Sequence, residues 1–206
     1  MSMEIKKSIK PVNYIEALKF LEDRAVKINK NEANELIWIL EHPSIFTAGT
    51  SFNKRDILDK TIDIIKTSRG GKITWHGPGQ LICYLVINLN NRKRDIRKFV
   101  NIIENSIIHS LKSFGIECFS DRKNIGIWSK LNNKDKKVGA IGIKVKRWIA
   151  YHGFSINVNN NISNYKKIVP CGIKDKGITT LKKINNRNYN KLSDVIIKNL
   201  VTNLKI

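Results

Sequence analysis

The sequence has little of what builds secreted or membrane-spanning proteins. It contains three cysteines in 206 residues, an odd number that argues against a disulfide framework and favours a reducing compartment. The segment Met1–Asn13 has no apolar core, so no signal peptide is predicted. The longest apolar run, Leu81–Ile87, is much shorter than the ~20 residues of a membrane helix. We therefore expect a cytoplasmic protein that does not cross a membrane.

Acidic residues are also scarce. There are 17 Asp and Glu against 38 Lys and Arg, which gives a net charge of +21 and predicts attraction to polyanions or acidic proteins. The basic clusters are spread along the chain without zinc-finger spacing, a basic zipper or an aromatic RNA-binding signature, so a nucleic-acid partner is not predicted. The four histidines and the cysteines show no metal-ligand spacing, and no metal is expected.

Hydrophobic periodicity predicts helices and strands in an irregular order. Apolar residues at helical spacing predict three helices, over Val12–Lys30, Asp95–Phe114 and Lys191–Leu204. Short apolar or alternating runs predict strands at Leu36–Leu40, Leu81–Ile87 and Ile125–Trp128, and an adjacent pair at Lys137–Arg147 and Trp148–Val158. No linker or repeat divides the chain. Residues 1–206 are therefore predicted to form one α+β domain with a mixed sheet.

The stretch Arg69–Gln80 is the least explicable as ordinary folding sequence. It reads Arg-Gly-Gly-Lys-Ile-Thr-Trp-His-Gly-Pro-Gly-Gln, and glycines at this density suit a backbone that turns tightly or lies close to a ligand. The first glycine pair predicts a hairpin turn between Asp63–Thr67 and Ile73–Trp75. This leaves Arg69 and His76 at the two ends of a glycine-lined surface.

The three cysteines stand in different contexts. Cys171 lies between Pro170 and Gly172, after polar sequence and outside any apolar run. Cys83 lies inside an apolar strand and Cys118 in a mixed segment, where each is most simply a small core residue. Cys171 is therefore the candidate for exposed thiol chemistry.

The glycine stretch resembles the signature of the lipoyl (octanoyl) transferases, the LipB-type enzymes of protein lipoylation. The resemblance runs from about residue 12 to about residue 181, and further blocks agree with it in order: Glu41–Gly49, Lys137–Gly142, His152–Phe154, Pro170–Gly172 and Gly177–Leu181. It implies the fold of the biotin and lipoate protein ligase catalytic domains, a mixed β-sheet backed by helices. The resemblance also implies that His42 forms part of the wall of the site.

The resemblance implies an acyl transfer without cofactor, ATP or metal. An octanoyl (or lipoyl) group would pass from acyl carrier protein to Cys171 as a thioester. It would then pass to a lysine amine of the lipoyl domains of 2-oxoacid dehydrogenases or of the glycine cleavage H protein. This is the first step of endogenous lipoylation. Lys137 would stabilise the Cys171 thiolate and carry protons.

Strand alternation selects Lys137 over its neighbour Lys136. In a regular strand, one face carries Lys137 with an apolar set: Gly139, Ile141, Ile143 and Val145. The other face carries Lys136 with a more polar set: Val138, Ala140, Gly142, Lys144 and Lys146. Regular alternation therefore predicts that the Lys137 side chain points inward.

The resemblance places the wall of an acyl-binding slot in three segments. The predicted residues are Arg69, Gly70, Gly71, Lys72, Ile73, Thr74, Trp75 and His76, then Ala140, Ile141 and Gly142, and finally Gly153, Phe154 and Ser155. Small residues at these places leave room for a chain. The alternative is that the glycines only let strands pack closely. Gly139 and Ser155 depart from the alanine-like residues of the family, which bears on the width or polarity of the slot.

Two other functions remain open from the sequence. An ATP-dependent lipoate or biotin protein ligase would share the fold but use no covalent cysteine. The second is a non-catalytic module that binds acidic carrier domains. The segment Pro170-Cys171-Gly172 favours the transferase over both.

Overall fold

A computed structural model describes residues 2–170 and 176–205. Its centre is a large mixed sheet with the strand order β1-β2-β6-β10-β9-β8-β7, in which a short strand, β11, also pairs with β9. The strands are β1 (Met3–Lys7), β2 (Glu35–Leu40), β6 (Gln80–Asn88), β7 (Cys118–Ser120), β8 (Ile127–Leu131), β9 (Lys134–Lys146), β10 (Ile149–Asn157) and β11 (Gly177–Ile178). The predicted α+β fold with a mixed sheet is confirmed.

Helices cover both faces of the large sheet. The helices are α1 (Tyr14–Asn29), α2 (Ile96–Lys112), α3 (Leu181–Ile184) and α4 (Leu192–Leu204), with 3-10 turns at Lys54–Asp56, Leu89–Asn91 and Ile162–Lys167. Alternate residues of β6 point to opposite faces. Cys83, Leu85 and Ile87 pack with α2 and α4, whereas Ile82, Tyr84 and Val86 pack with α1. The three long helices predicted from periodicity are confirmed. In the part of the chain described, no helix is long and apolar enough to span a membrane.

A second, smaller sheet lies beside the first and corrects one prediction. Its order is β4-β3-β5, formed by β3 (Ile45–Ala48), β4 (Ile64–Lys66) and β5 (Ile73–His76). The predicted hairpin between Asp63–Thr67 and Ile73–Trp75 is wrong, because β3 lies between β4 and β5 and pairs with both. The glycine pair therefore does not form a tight hairpin turn. It belongs to a loop that runs past the edge of the large sheet.

Two tight hairpins connect the strands β8, β9 and β10 of the large sheet. Asn132 and Asn133 connect β8 to β9, and Arg147 and Trp148 connect β9 to β10. All four residues have positive φ, as a two-residue hairpin loop requires. The predicted hairpin of β9 and β10 is confirmed.

A bulge in β9 corrects the predicted face of Lys137. Gly139 pairs with Ile127, but Lys137 pairs with the next residue, Trp128, so that Val138 is an extra residue. Ile127 and Trp128 point to opposite faces of the sheet. Lys137 therefore does not share a face with Gly139, although regular alternation predicted that it would. Its inward position is nevertheless confirmed, since Lys137 is 6% exposed and Lys136 is half-buried.

Candidate functional site

A cavity of about 540 Å³ opens where the loop before β5 meets the free edge of β9. Most of the residues predicted for the slot line this cavity: Arg69, Gly70, Gly71, Lys72, Thr74, His76, Ala140, Ile141, Gly142, Gly153, Phe154 and Ser155, together with Lys137. The three predicted segments are thus brought together around one space. Its volume lies in the range of small-molecule sites, roughly 300–1,000 Å³.

Two residues predicted for the slot point elsewhere. Ile73 and Trp75 alternate with Thr74 and His76 along β5, so their side chains leave on the opposite face. They pack in a small cluster with Phe46, Tyr165 and Ile168, beneath the smaller sheet. The Trp75 indole donates to the Ser44 hydroxyl and occupies the space above Gly77, where a Cβ would lie 2.2 Å from the ring. Ile73 and Trp75 therefore support the wall without forming it.

Arg69 holds the glycine loop in place through its guanidinium. Its Nη2 donates to both the carbonyl and the hydroxyl of Thr47, each at 2.9 Å, and its Nη1 donates to the Gly70 carbonyl at 3.0 Å. These bonds occupy both terminal nitrogens with protein acceptors. Arg69 thus ties the loop to β3 of the smaller sheet.

Glycines let the backbone approach closely at the slot. The Gly70 amide donates to the Ile143 carbonyl on the free edge of β9, which joins the loop to the large sheet. A Cβ on Gly142 would lie 3.1 Å from the Gly70 carbonyl oxygen, and one on Gly153 would lie 1.9 Å from the Cys83 carbonyl oxygen. Gly153 therefore allows close strand packing and also lines the cavity. Gly142 serves the contact with the loop.

Lys137 is fixed at one end of the cavity. Its Nζ donates to the Ile125 carbonyl at 2.8 Å and lies 5.3 Å from the centroid of the buried Trp128 ring. The lysine passes over Gly126, where an added Cβ would lie 2.3 Å from Lys137 Cε. A buried ammonium with few alternative positions is suited to acting on a neighbouring anion.

The chain on both sides of residues 171–175 is anchored. Before them, the Val169 amide donates to the Asp56 carbonyl at 2.7 Å. After them, β11 pairs with Lys136 and Lys137 of β9, and Lys176 forms ion pairs with Asp121 and Asp135. Hydrogen bonds to Asp121, first from the Asn124 side chain, hold the pKa of that carboxyl well below its usual range. The predicted nucleophile, Cys171, lies outside the described residues.

The other two thiols are poorly suited to nucleophilic chemistry. Cys83 is fully buried, and burial raises the pKa of its thiol strongly. Burial also raises the pKa of Cys118 to about 12, against a smaller opposing effect of Ser129. Because the thiolate is the reactive form, neither cysteine is reactive near neutral pH. The predicted core role of Cys83 is confirmed.

Three buried histidines, His42, His76 and His152, form a layer beside the cavity, and sequence reasoning did not predict their burial. His42 Nδ1 donates to the Val12 carbonyl at 2.6 Å, so its Nε2 accepts from the Tyr84 hydroxyl at 2.7 Å. The His42 ring lies 5.9 Å from that of His76. The resemblance alone pointed to His42 as a wall residue, and its Glu-His-Pro context gave no sign that it would be fully buried.

The layer is electrically neutral near pH 7. Gln80 donates through Nε2 to Asn157 and to the Tyr165 hydroxyl, which leaves its Oε1 to accept from His76 Nδ1 at 2.7 Å. Burial, with a smaller effect of His42, lowers the pKa of His76 to about 3. Burial likewise lowers the pKa of His152 to about 3, with smaller effects of Arg69 and Lys144.

His152 reaches the cavity through an unusual backbone. Its φ is +70°, a region that costs a non-glycine residue about 1–3 kcal/mol. The ring stacks on Tyr151 at 5.2 Å and meets Tyr84 edge-on at 6.4 Å. Among the described residues, its buried Nε2 has no hydrogen-bond partner. The alternation of apolar and polar residues along a strand does not predict a residue with positive φ.

No metal site accompanies these groups in the described ranges, 2–170 and 176–205. Within them, no three residues of the types His, Cys, Asp and Glu are grouped so as to hold a metal ion. What the cavity offers instead is an apolar and glycine-lined wall, a neutral polar layer and a single buried ammonium at Lys137.

Comparisons with known proteins show which family the sequence belongs to. The sequence matches the model of the lipoyl protein ligase A/B catalytic domain over residues 13–201. It is 40% identical over 181 residues to an octanoyltransferase of Novosphingobium aromaticivorans, an alignment that covers 87% of this chain and 82% of that protein. It is 41% identical over 174 residues to an octanoyltransferase of Wolbachia sp. subsp. Brugia malayi, covering 84% of this chain and 85% of that protein.

A solved structure agrees at the level of the fold. The bipartite lipoate protein ligase from Thermoplasma acidophilum superposes with a TM-score of 0.74 at 12% identity, covering 100% of this chain and 85% of that one. This likeness confirms the architecture of a mixed sheet with flanking helices. By its sequence match and its fold, the chain belongs to the lipoyl protein ligase A/B family.

Proposed function

We propose that this chain transfers an octanoyl group from acyl carrier protein, through a thioester on Cys171, to the lysine amine of a lipoyl domain. Its curated relatives are octanoyltransferases, and the chain is an acyltransferase of protein lipoylation. The observation that carries the mechanism is the buried Lys137, held at one end of a cavity beside the strand that follows Cys171. In this proposal residues 1–206 form one catalytic domain. The protein acts in the cytoplasm, where reducing conditions keep the Cys171 thiol free to react.

Chain connectivity supports the pairing of Cys171 with Lys137. Five residues span at most about 18 Å, so Cys171 cannot lie farther than that from Lys176. Lys176 and Lys137 both lie against the Trp128 ring, with their Nζ atoms 4.8 and 5.3 Å from its centroid. Lys176, the first described residue after Cys171, therefore lies in the same corner as the buried Lys137.

The first half-reaction is an exchange of thioesters. An ordinary thiol has a pKa of about 8.5, and a nearby ammonium lowers it, so Lys137 favours the Cys171 thiolate. This thiolate attacks the octanoyl carbonyl, a bond forms between carbon and the Cys171 sulfur, and the bond to the carrier sulfur breaks. The departing carrier thiolate takes a proton from the Lys137 ammonium.

The second half-reaction is an aminolysis. The neutral ε-amine of the acceptor lysine attacks the octanoyl-Cys171 carbonyl, a C–N bond forms, and the Cys171 thiolate departs. The proton lost by the amine returns to Lys137, which restores the starting charges. Because both thioesters are already activated, the sequence of steps uses no ATP.

The cavity suits an apolar chain. Each methylene buried from water contributes about 0.8 kcal/mol, and the wall near Lys137 is made of Ala140, Ile141, Gly142 and Phe154. The histidine layer, though polar, is uncharged near pH 7 and so does not place a charge beside the chain. The acceptors would be the lipoyl domains of 2-oxoacid dehydrogenases and the glycine cleavage H protein.

The mass of the intact protein tests this proposal. Mixing with octanoyl-carrier protein, without ATP, should add one octanoyl group to Cys171 as a hydroxylamine-sensitive thioester, and Cys171→Ser should abolish it. Adding a lipoyl domain should then remove the group from the enzyme. Octanoylation of the lipoyl domain that requires ATP and free octanoate, with no acyl-enzyme, would instead identify a ligase. The absence of octanoylation of both the enzyme and the lipoyl domain under either condition would identify a non-catalytic binder.

A further inference from the structure

The mouth of the cavity exposes two large apolar side chains. Ile96, the first residue of α2, is 44% exposed, and Ile125, in the turn before β8, is 54% exposed. Both line the cavity that contains Lys137, and Val100 continues this apolar strip one turn along α2. Exposed isoleucines at the entrance of a site cost solubility without adding to the core, which points to use in binding.

Uncompensated positive charge surrounds these isoleucines. On the α2 side, four basic residues are exposed: Lys93, Arg94, Arg97 and Lys98. On the other side, Arg122 and Lys123 are exposed next to Ile125. Across the described portion of the chain, none of these six cations forms an ion pair.

The acids near the mouth are already engaged. The Asp95 side chain accepts from the Lys98 amide and caps α2. Asp121 accepts from the Lys123 amide and from Asn124, and it pairs with Lys176. The rim therefore presents positive charge outward, together with the positive end of the α2 dipole.

We propose that this rim docks the acidic carrier domain that delivers the acyl group. The inference rests on the proposed function and adds to it the face used by the donor. The positive charge complements an acidic surface and speeds encounter. The exposed Ile96 and Ile125 receive the acyl chain as it passes from the carrier into the cavity.

The apolar entrance favours the donor over the acceptor as occupant. The donor must pass a whole hydrocarbon chain through the mouth, and contact with Ile96 and Ile125 keeps that chain out of water. The acceptor lysine brings its amine on a stem of four methylenes, which has less apolar surface than an octanoyl chain. Charge alone would not distinguish the two partners, but charge combined with an exposed apolar strip does.

Charge reversal at Arg97 and Arg122 tests the proposal. Neither residue lines the cavity; Arg97 follows Ile96 on α2, and Arg122 lies three residues before Ile125. The double variant Arg97→Glu/Arg122→Glu should lower kcat/KM for loading from octanoyl-carrier protein by about tenfold, equivalent to about 1.4 kcal/mol. Loading from octanoyl-N-acetylcysteamine, a small thioester without a carrier, should stay within about twofold, since a neutral donor does not use the charged rim.

A matched control separates docking from bulk charge. Lys19→Glu/Lys30→Glu makes the same change in net charge at exposed positions that do not line the cavity, and it should leave both donors nearly unaffected. Equal loss with the carrier and the small thioester, or no loss with either, would overturn the docking face. A loss confined to transfer onto the lipoyl domain would assign the rim to the acceptor and overturn it as well.

Failure of the docking proposal differs from failure of the proposed function. If the unaltered enzyme forms no thioester with either donor, the transferase mechanism fails and the rim has no donor to dock. If the unaltered enzyme loads normally and the Arg97→Glu/Arg122→Glu variant loads equally fast from the carrier, only the docking face is wrong.

Discussion

Gly126→Ala is the substitution that most directly disturbs Lys137 without altering it. Gly126 has φ = +143°, and a Cβ there would lie 2.3 Å from Lys137 Cε and 2.7 Å from the Gly139 carbonyl oxygen. Carbon atoms in contact are about 3.5–4.0 Å apart, so the lysine side chain must move by about 1 Å or more. The backbone oxygen of Gly139 leaves little room for the added methyl group to move instead. We expect Lys137 to lose its bond to the Ile125 carbonyl.

The expected loss of stability in Gly126→Ala combines two effects. A side chain at this φ costs about 1–3 kcal/mol, and loss of a hydrogen bond from a charged group costs about 1.5–3 kcal/mol. In a chain of this size, each kcal/mol lowers Tm by about 2–4 °C, so Gly126→Ala should lower Tm by about 10 °C. If withdrawal of the ammonium raises the pKa of the Cys171 thiol by about one unit, its alkylation near neutral pH slows almost tenfold.

Gly115→Ala is the matched control. Gly115 also has a positive φ, +70°, but the three atoms nearest to a Cβ there belong to the side chains of Arg187 and Asn185, at 3.4–3.5 Å. We expect a fall in Tm of about 5 °C from the backbone alone and no change in Cys171 alkylation. Iodoacetamide labelling of Cys171, followed by intact mass against pH, measures the effect. If the two variants alkylate at the same rate, the geometry of Lys137 does not control the thiol.

Further predictions concern charge and protonation. Lys137→Met should move the pH profile of Cys171 alkylation upward and remove acyl transfer, whereas Lys136→Met should change neither, because only Lys137 is buried at the cavity; the reverse pattern would exchange their roles. The unfolded chain protonates its histidines near pH 6.5, while folded His76 and His152 stay neutral to about pH 3. The free energy of unfolding, measured by urea denaturation, should therefore fall from pH 7 to pH 5, by up to about 1.4 kcal/mol per pH unit for each histidine. His152→Gln should flatten that fall, and an unchanged slope would remove His152 from the explanation. Raising salt beyond ~0.15 M should lower kcat/KM for the protein donor more than kcat, and a rate independent of salt would mean that surface charge does not guide encounter.

Periodicity predicted the long elements because tertiary structure agrees with their local pattern. The helices α1, α2 and α4 each carry an apolar stripe that matches the face they bury, and the strands β2 and β6 carry continuous apolar runs that match burial on both faces. The hairpin predicted at Gly70–Gly71 failed for a non-local reason, since β3 inserts between β4 and β5 from earlier in the chain. A glycine pair indicates a bend but not which strands meet across it.

In the site, too, the sequence predicted the segments involved but not the features that depend on distant parts of the chain. The resemblance identified the segments around the cavity, but it could not assign faces within β5, where Ile73 and Trp75 point away. The bulge at Val138 puts Lys137 on the face opposite to the one predicted. Lys137 is nevertheless buried, as predicted. His152 depends on a positive φ that no side-chain pattern encodes. Bulges and strained residues of this kind are set by the surrounding structure, and they are common next to functional sites.

The cavity is a seam between two sheets, and this has a thermodynamic consequence. Arg69 ties its loop to the smaller sheet, and the Gly70 amide ties the same loop to Ile143 on the larger one. An acyl chain in the seam contacts residues from both sides, so its binding free energy adds to the free energy that holds the sheets together. We therefore expect acyl loading to raise the Tm of the enzyme.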